Sequence, residues 1–440
     1  MTAALQAARS PERVKGPERV KGLQRVNSDH HSSAKKQLLV VGNGMGSVRF
    51  LEKLTEQHGH QYQVTVLSEE HCPGYNRIQL SKLLAGSVDL QGIQLQPESW
   101  YQDQNISLLS GSDYRVSALD LELKRVETEG GQSFDYDHLV LATGSLPNRI
   151  PVSGADLEGV MAFRNLDDVE QMLTASSHPE AQAVVIGGGL LGLECASGLA
   201  RRGMKVTVVD TMPIPMARQL DEKAGNLLQE ALEETGIEFR CSAMLDSYTG
   251  EDGKVTGVQL KDGEWLQASL VVVTAGVRPN IELIRETELE YDRGILVNDR
   301  MQTSDPSVTA IGECVQLNTD LFGLVAPVYG HAEVAVHRLL GTSGERFEPV
   351  PIPTSLKVDG IDLFSSGQFV ARENDEEIII DAAGVGIYRK LVVSDNKLKG
   401  ALLYGDASDG LWYQELMETG QDISDIRDRL IFGKRYLSAA

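Results

Sequence analysis

A glycine-rich motif that occurs twice constrains this chain more than any other feature. Residues 184–194 read VVIGGGLLGLE, and residues 38–50 read LLVVGNGMGSVRF. In each stretch, apolar residues lead into closely spaced glycines and then into a segment with helical periodicity. The order of strand, glycine turn and helix is typical of the cradle that holds the diphosphate of a dinucleotide. The first glycines of the two motifs, Gly42 and Gly187, are 145 positions apart, so the chain has room for two such units.

The first unit keeps two of the three glycines of the pattern GxGxxG. Gly42 and Gly44 are present, whereas Ser47 stands at the third position. A second apolar run, YQVTVLSEE, reaches Glu69, which lies 27 positions after Gly42. An acid at this point can accept hydrogen bonds from a ribose diol. The pattern therefore predicts a diphosphate at the turn and a ribose at Glu69.

The second unit keeps all three glycines, Gly187, Gly189 and Gly192. Its next strand, KVTVVD, ends at Asp210, which is 23 positions after Gly187. Glycines let backbone N–H groups approach a diphosphate, and the helix N-terminus adds about half a positive charge. For either motif alone, an ordinary glycine turn in an α/β unit is the alternative.

The duplication continues downstream of both motifs. GGQSFDYDHLVLATGSLPN ends at Asn148, and DGEWLQASLVVVTAGVRPN ends at Asn280. Each stretch begins with a hairpin turn and continues into a strand, a glycine and a Pro-Asn pair. We therefore expect an α/β protein with two Rossmann-like dinucleotide-binding domains, and two dinucleotides rather than one.

Composition excludes several other functions. The 440 residues carry a formal net charge of −22, which disfavours nucleic acid and anionic membranes as partners. No apolar run reaches the roughly 18 residues of a membrane span. The four cysteines form no CxxC pair, so we expect no zinc ribbon, thioredoxin-type pair, iron–sulfur cluster or other metal site. Reduced thiols and a cytoplasmic location fit this pattern.

The first 36 residues differ from the rest of the chain. They contain the hexapeptide PERVKG twice in tandem, at 11–16 and 17–22, and eight Lys or Arg against three acids. This segment is net +5, so the remainder is −27. It has no apolar stretch of the kind that a secretory signal needs. We predict a disordered basic tail over residues 1–36.

Together, these motifs resemble the two-dinucleotide flavoproteins of the pyridine nucleotide-disulfide oxidoreductase family. In that family the first unit binds FAD, and the second, inserted within it, binds NAD(P)H. LATGS at 141–145 resembles the loop beside the flavin, and TAGVRPN at 274–280 resembles its counterpart near the nicotinamide nucleotide. SVTAIGEC at 307–314 resembles the strand that returns to the FAD domain. The resemblance covers about residues 37–345.

The resemblance implies a division of the chain into domains. Its parts are an FAD-binding domain in two pieces, an NAD(H)-binding domain between them, and a C-terminal α+β cap or interface domain that could support a homodimer. The implied limits are 37–150 and 273–345 for the FAD-binding pieces, 151–272 for the NAD(H)-binding domain and 346–440 for the C-terminal domain.

A narrower resemblance concerns the electron acceptor. EEHCPGYNRIQLSKLLAG (69–86) and LYGDASDGLWYQEL (403–416) are similar to the flavoprotein part of NAD(P)H nitrite reductase large subunits and to the FAD electron-transfer subunit of assimilatory nitrate reductase. The chain ends at Ala440 without a cysteine cluster, so we do not expect siroheme chemistry in it. The resemblance implies an FAD-dependent NADH oxidoreductase that serves nitrate or nitrite assimilation. Its partner would be a nitrate or nitrite reductase catalytic subunit or a small iron–sulfur protein.

Three alternatives to this function stay open. The first is a rubredoxin- or ferredoxin-type reductase. The second is a single-cysteine NADH oxidase or coenzyme A disulfide reductase that uses Cys72, although the neighbours of Cys72 do not match the pattern of those enzymes. The third is a non-catalytic FAD sensor with the same fold.

The resemblance also assigns site residues beyond the glycine turns. It implies a catalytic pair, Lys82 and Glu194, that forms a buried ion pair beside the flavin, with a solvated lysine and a surface acid as the alternative. Glu313 is one methylene longer than the aspartate usual at its position. The further cofactor contacts that the resemblance implies are Arg77, Lys82, Ala142, Thr143, Gly144, Glu194, Gly276, Gly312 and Glu313.

Two positions bear on specificity. Asp210 favours NADH, because a carboxylate accepts a hydrogen bond from the adenosine 2′-hydroxyl and repels a 2′-phosphate. Arg218 instead favours NADPH, because arginine can bind a 2′-phosphate. In the C-terminal domain, Trp412 and Tyr413 are either core residues, a dimer contact or part of a docking surface for the acceptor.

Overall fold

The computed structural model of the chain describes residues 35–57, 61–178, 180–349, 354–358 and 360–437. The PERVKG repeat and the rest of the predicted basic tail up to residue 34 lie outside the described residues. Within the described ranges, no helix is long and apolar enough to cross a bilayer. The described part of the chain also shows no group of three or more metal-ligating side chains.

Two five-stranded parallel sheets form the centre of the fold. Both are built from short runs of buried valine, leucine and isoleucine, as is typical of parallel strands covered on both faces. In spatial order the first sheet contains Val308–Ala310, His138–Leu141, Lys36–Val41, Tyr62–Ser68 and Ile106–Ser110. The second contains Ile237–Arg240, Lys205–Val209, Gln182–Ile186, Leu270–Val273 and Val160–Ala162.

The first sheet is completed by a strand from far along the chain. Val308–Ala310 pairs in parallel with His138–Leu141, with Val308 opposite Leu139. The whole second sheet lies in sequence between these two strands. The predicted α/β fold, with the second nucleotide unit inserted in the first, is therefore confirmed. The numerical domain limits stay predictions.

Smaller sheets flank the two central ones. Both predicted hairpins are present, with turns at Gly130-Gly131 and at Asp262-Gly263. The strands of these sheets are Val116–Asp120, Arg125–Thr128 and Ser133–Asp135; Leu245–Glu251, Lys254–Leu260 and Trp265–Gln267; Ser145–Pro147 and Val277–Pro279; and Ile295–Val297, Val315–Leu317 and Asp320–Leu321.

The C-terminal domain is an antiparallel five-stranded sheet. The hairpin between two of its strands turns at Asp395 and Asn396, which have φ values of 50° and 52°, as a tight two-residue turn requires. Tyr388 on this sheet donates to Asp221 at 2.8 Å and thereby ties the sheet to the second nucleotide unit. In spatial order the strands are Thr354–Val358, Ile361–Gly367, Lys397–Tyr404, Ile387–Ser394 and Glu376–Ala382.

Helices cover the sheets and are numbered in chain order. They are α1 (Met45–Glu56), α2 (Leu80–Leu84), α3 (Leu90–Ile93), α4 (Glu98–Asp103), α5 (Leu166–Ser176), α6 (Leu190–Arg201), α7 (Glu222–Glu233), α8 (Val325–Leu340), α9 (Gly410–Thr419) and α10 (Arg427–Leu430). Tyr413 on α9 is fully buried and donates to the Leu430 carbonyl at 2.8 Å, so it is a core residue rather than part of a docking surface.

Candidate functional site

The two glycine turns are matched in geometry. Gly42 has φ of 100°, and a Cβ on it would lie 2.3 Å from the carbonyl oxygen of Ala142. Gly187 has φ of 117°, and a Cβ on it would lie 2.8 Å from the Thr274 hydroxyl. At both turns the first glycine is needed for its backbone conformation and for its close approach to the neighbouring strand.

The helices that follow these turns begin without side-chain caps. Gly44 starts α1 and Gly189 starts α6, and neither helix has an acid in its first turn. A Cβ on either glycine would meet no atom within 4 Å, so the space in front of each helix is open. By contrast, Asn165 caps α5 and Asp221 caps α7. The free N–H groups of α1 and α6 therefore suit two diphosphates, and the residues present fit two dinucleotides.

The third positions of the two motifs differ. A Cβ on Gly192 would lie only 1.9 Å from the carbonyl oxygen of Gly187. Ser47, at the corresponding position, is 1 % exposed, and its hydroxyl has no hydrogen-bond partner within the described residues. The first turn therefore accommodates a side chain where the second cannot.

The acids that follow the strands Tyr62–Ser68 and Lys205–Val209 also differ in their contacts. Glu69 is exposed and lies 3.6 Å from Arg115. Asp210 accepts from the backbone N–H of Gly188 at 2.5 Å and from that of Met212 at 2.8 Å. The carboxylate of Asp210 is therefore held against its own glycine turn, while that of Glu69 has only an exposed pair with Arg115 and can turn toward a ligand.

The loops that follow the strands His138–Leu141 and Leu270–Val273 are hydrogen-bonded to each other. The Thr143 hydroxyl donates to the Asn280 carbonyl at 2.8 Å, and the Asn280 N–H donates to the Gly144 carbonyl at 2.9 Å. On the other side, the Asn148 N–H donates to the Gly276 carbonyl at 3.0 Å. Ser145–Pro147 and Val277–Pro279 form a two-stranded antiparallel sheet between these contacts. The loops of the two units, and the sites beside them, are consequently adjacent.

Glu313 lies at the junction of the two units. One of its carboxylate oxygens accepts from the Ser145 hydroxyl at 2.8 Å and also from the guanidinium of Arg164. The preceding Gly312 has φ of 86° and donates through its N–H to His331 at 3.4 Å. Burial lowers the pKa of His331 to about 4, so this imidazole is neutral and can accept.

Arg77 is held in a second cluster next to this junction. It donates to Glu70 and, at 3.0 Å, to the carbonyl oxygen of Arg164. Tyr75 donates to the other oxygen of Glu70 at 2.5 Å. Burial lowers the pKa of Arg77. The charges of Glu70, Tyr75 and Glu313 raise it by more, so the net shift of the pKa is upward. Arg77 is thus a fixed cation in the first unit.

The predicted ion pair between Lys82 and Glu194 is wrong in this structure. Helix α2 packs against α6, but no contact within 4.0 Å joins the two charged groups in the described chain. Lys82 is exposed and Glu194 half-buried. Burial raises the pKa of Glu194, while the Ser81 hydroxyl and the charge of Lys82 lower it to a smaller extent. Adjacent residues of a helix point in different directions, so α2 turns the serine toward Glu194 and the lysine outward.

Cys72 lacks the properties of a redox-active thiol. It is partly buried, and burial followed by the negative charge of Glu70 raises its pKa to about 11. A reactive cysteine needs a lowered pKa so that the thiolate is present at neutral pH. The raised pKa therefore disfavours the alternative function that uses Cys72.

Three residues of this site escaped the sequence analysis. Arg164 and Glu70 form its ion pairs, and Asn43 in the first turn is buried with its amide nitrogen unpaired in the described chain. Asn43 had a signal, because it lies within the GNG motif. Arg164 had none, because its partner Glu313 lies 149 positions away, whereas the partners of Glu70 lie only five and seven positions along the chain.

Comparison with protein families agrees with this geometry. The profile of the family described as pyridine nucleotide-disulphide oxidoreductase matches residues 36–338. A second profile, described as the rubredoxin NAD+ reductase C-terminal domain, matches residues 352–421.

Among curated proteins, the chain is 42 % identical over 391 residues to a nitrite reductase [NAD(P)H] of Bacillus subtilis, covering 89 % of this chain and 48 % of that protein. It is 36 % identical to the assimilatory nitrate reductase electron transfer subunit of the same organism, covering 90 % and 51 %. It is 34 % identical to a rubredoxin-NAD(+) reductase of Ectopseudomonas oleovorans, covering 72 % and 82 %. The chain therefore spans about half the length of the first two relatives.

Two solved structures share the fold. A ferredoxin reductase of Rhodopseudomonas palustris superposes with a TM-score of 0.76 at 26 % identity, covering 90 % of this chain and all of that one. The putidaredoxin reductase in its covalent complex with putidaredoxin gives a TM-score of 0.75 at 25 % identity, with coverages of 89 % and 94 %.

Proposed function

The chain belongs to the pyridine nucleotide-disulphide oxidoreductase family, and we propose that it is an FAD-dependent reductase that takes electrons from NADH and passes them to a partner redox protein. The observation that carries this proposal is the pair of open glycine turns, joined through the bound loops at Thr143 and Asn280. Two dinucleotides seated in these turns would approach each other at the junction of the two units. A flavin there supplies the hydride acceptor, so no protein nucleophile is needed.

We assign FAD to the first unit. The turn at Gly42 and Gly44 would hold its diphosphate, and the exposed Glu69 is free to accept from its ribose. Glu313, Thr143 and the cation Arg77 lie at the junction, where the flavin end would lie. The contacts at Ala142, Gly144 and Gly312 follow from the resemblance and stay proposals.

We assign NADH to the second unit. The turn from Gly187 to Gly189, with Gly192 behind it, would hold the diphosphate, and Asp210 would meet the adenosine ribose. Two backbone N–H groups fix this carboxylate beside the turn, and we expect its charge to face the adenosine ribose. The repulsion favours NADH over NADPH.

Lys82 and Glu194 keep their proposed place beside the flavin without a direct bond between them. Lys82 is exposed and brings a cation, which favours the added negative charge of a reduced flavin. Glu194 is half-buried, and burial raises its pKa. Lys82→Met should slow flavin reduction more than it weakens NADH binding. Lys254→Met, which breaks an exposed pair with Glu158, is the matched control.

The acceptor is proposed from the relatives. Similarity to the nitrite reductase and to the nitrate reductase electron transfer subunit supports a partner in nitrate or nitrite assimilation. The match to the rubredoxin NAD+ reductase C-terminal domain favours a second candidate, a small iron–sulfur or rubredoxin-type protein. A cytoplasmic location and a homodimer stay predictions.

The decisive experiment is anaerobic stopped-flow mixing of the purified, flavin-loaded chain with NADH. We expect a flavin that survives desalting, is released as FAD rather than FMN on denaturation, and is bleached rapidly by NADH. Reoxidation by nitrate reductase, nitrite reductase or rubredoxin would then identify the acceptor class. A chain that binds flavin but is not reduced by NADH would be a sensor, and one that binds no FAD would contradict the proposal.

A further inference from the structure

Arg164 connects the two nucleotide-binding units through a single ion pair. It lies between the second-sheet strand Val160–Ala162 and α5, yet its guanidinium binds Glu313, which belongs to the returning segment of the first unit. The two side chains are only 21 % and 22 % exposed, so solvent screens the pair less than a surface ion pair. The contact spans 149 positions of sequence.

The backbone of Arg164 is fixed from both sides. Its N–H donates to the Asp168 carboxylate at 2.6 Å, and Asp168 is also part of the capping box of α5. Its carbonyl oxygen accepts from Arg77 of the first unit at 3.0 Å. The start of α5 and the cation Arg77 therefore determine where the Arg164 side chain begins.

Glu313 is anchored through one oxygen only. Its Oε2 accepts from both Arg164 and Ser145, and within the described residues nothing donates to its Oε1. This arrangement orients the carboxylate and leaves one oxygen to accept from a ligand hydroxyl. A glutamate needs such anchoring, because it has one more rotatable bond than aspartate.

We propose that Arg164 is a positioning residue: it holds Glu313 in the orientation that binds the flavin, so seating of the second unit determines how well the first unit binds FAD. The inference rests on the proposed function, since it takes FAD as the ligand of the first unit. Hydrogen bonds between charged groups are among the stronger ones in proteins, so the loss of this contact should be measurable in FAD affinity.

The test compares Arg164→Met with three other single variants and with the double variant Arg164→Met/Glu313→Gln, all of the full chain. Arg164→Lys keeps the charge with one donor group, and Glu313→Gln removes the partner's charge. Arg149→Met is the matched control, because Arg149 forms an exposed ion pair with Asp156 at 3.2 Å. Both residues lie between the strands Ser145–Pro147 and Val160–Ala162, shortly before Arg164 in the chain. The readouts are the dissociation constant of FAD for each deflavinated chain, the midpoint potential of the bound flavin, and the urea unfolding midpoint without FAD.

We expect Arg164→Met to weaken FAD binding by about tenfold. Arg164→Lys should recover part of the loss, and Arg149→Met should bind like the wild type. In the Glu313→Gln background, Arg164→Met should weaken FAD binding by less than about threefold, because Arg164 acts through Glu313. The unfolding midpoint separates a positioning role from general destabilisation.

Three results would overturn the inference. They are wild-type FAD affinity in Arg164→Met, losses in the double variant that multiply in full, and a loss of affinity that follows the unfolding midpoint across all variants. A wild-type chain that binds no FAD would instead contradict the proposed function as well, so the two failures are distinguishable.

Discussion

The two glycine turns share a motif but tolerate different side chains. In the second turn, Gly192 lies against the Gly187 carbonyl, and a Cβ would be 1.9 Å from that oxygen. In the first turn, Ser47 occupies the same position and is buried with its hydroxyl unpaired in the described chain. The same three-glycine pattern therefore describes a strict packing requirement in one unit and a relaxed one in the other. The approach of Gly192 to the Gly187 carbonyl, rather than the motif, makes the requirement strict in the second unit.

The largest effect is expected when Gly192 is replaced by serine, the residue that stands at the third position of the first motif. Gly192→Ser places a side chain against backbone that cannot move aside, and we expect a loss of about 3 kcal/mol or more in the free energy of unfolding. NADH affinity should fall with it, because the start of α6 must shift. Urea unfolding and NADH titration measure both effects. A Gly192→Ser chain as stable as the wild type would show that the second turn is not packed as described.

Acid should destabilise the first unit through a residue without a counterpart in the second. Burial lowers the pKa of His331 to about 4, below its usual 6.5, so the unfolded chain binds a proton more readily than the folded chain. The contribution of the neutral His331 to the free energy of unfolding is fully present above about pH 6.5. It is lost as the pH falls toward 4, and the total loss is about 3 kcal/mol.

His331→Phe should remove the part of the pH dependence of stability that His331 contributes within that window, as measured by urea unfolding at a series of pH values. His71→Gln is the control, since His71 is exposed. An unchanged slope in His331→Phe would refute the assignment.

Substitution of the two acids that follow the strands, Asp210 and Glu69, should have different effects on coenzyme preference, and the difference in free energy is smaller than the effects above. Asp210→Ser removes a carboxylate that accepts two backbone hydrogen bonds, and we expect it to narrow the preference for NADH over NADPH by roughly tenfold, or about 1.4 kcal/mol. Glu69→Gln, in an exposed pair with Arg115, should leave that ratio unchanged. The values of kcat/KM for both coenzymes measure the effect. Equal preference in the wild type, or an effect of both substitutions, would remove the distinction.

Removal of the buried hydroxyl should have the smallest effect. Ser47→Ala deletes an unpaired polar group and adds helix propensity, so we expect the free energy of unfolding to rise by about 1 kcal/mol or less. FAD affinity should stay within about twofold if the hydroxyl does not reach the ligand. A large loss of FAD affinity would instead make Ser47 a cofactor contact and would bring the two turns closer in function.

Local chemistry made much of the fold predictable. The glycine turns, both hairpins and the turn at Asp395 and Asn396 depend on the conformations of a few adjacent residues, which the sequence displays directly. The buried strands followed from apolar runs of strand length. The repetition of these local signals at two places indicates two nucleotide units independently of any contact between them.

The junction of the two units depended on tertiary structure. Ser145–Pro147 pairs with Val277–Pro279, and Arg164 binds Glu313, across separations of more than a hundred residues. The orientation of α2 was decided in the same way, since packing turned Ser81 rather than Lys82 toward Glu194. Sequence by itself predicted the two glycine turns, because the strand, turn and helix of each unit are continuous in the chain. Only the folded chain decided which charges meet between the cradles, because direction and distance across a domain junction are set by packing that no local pattern encodes.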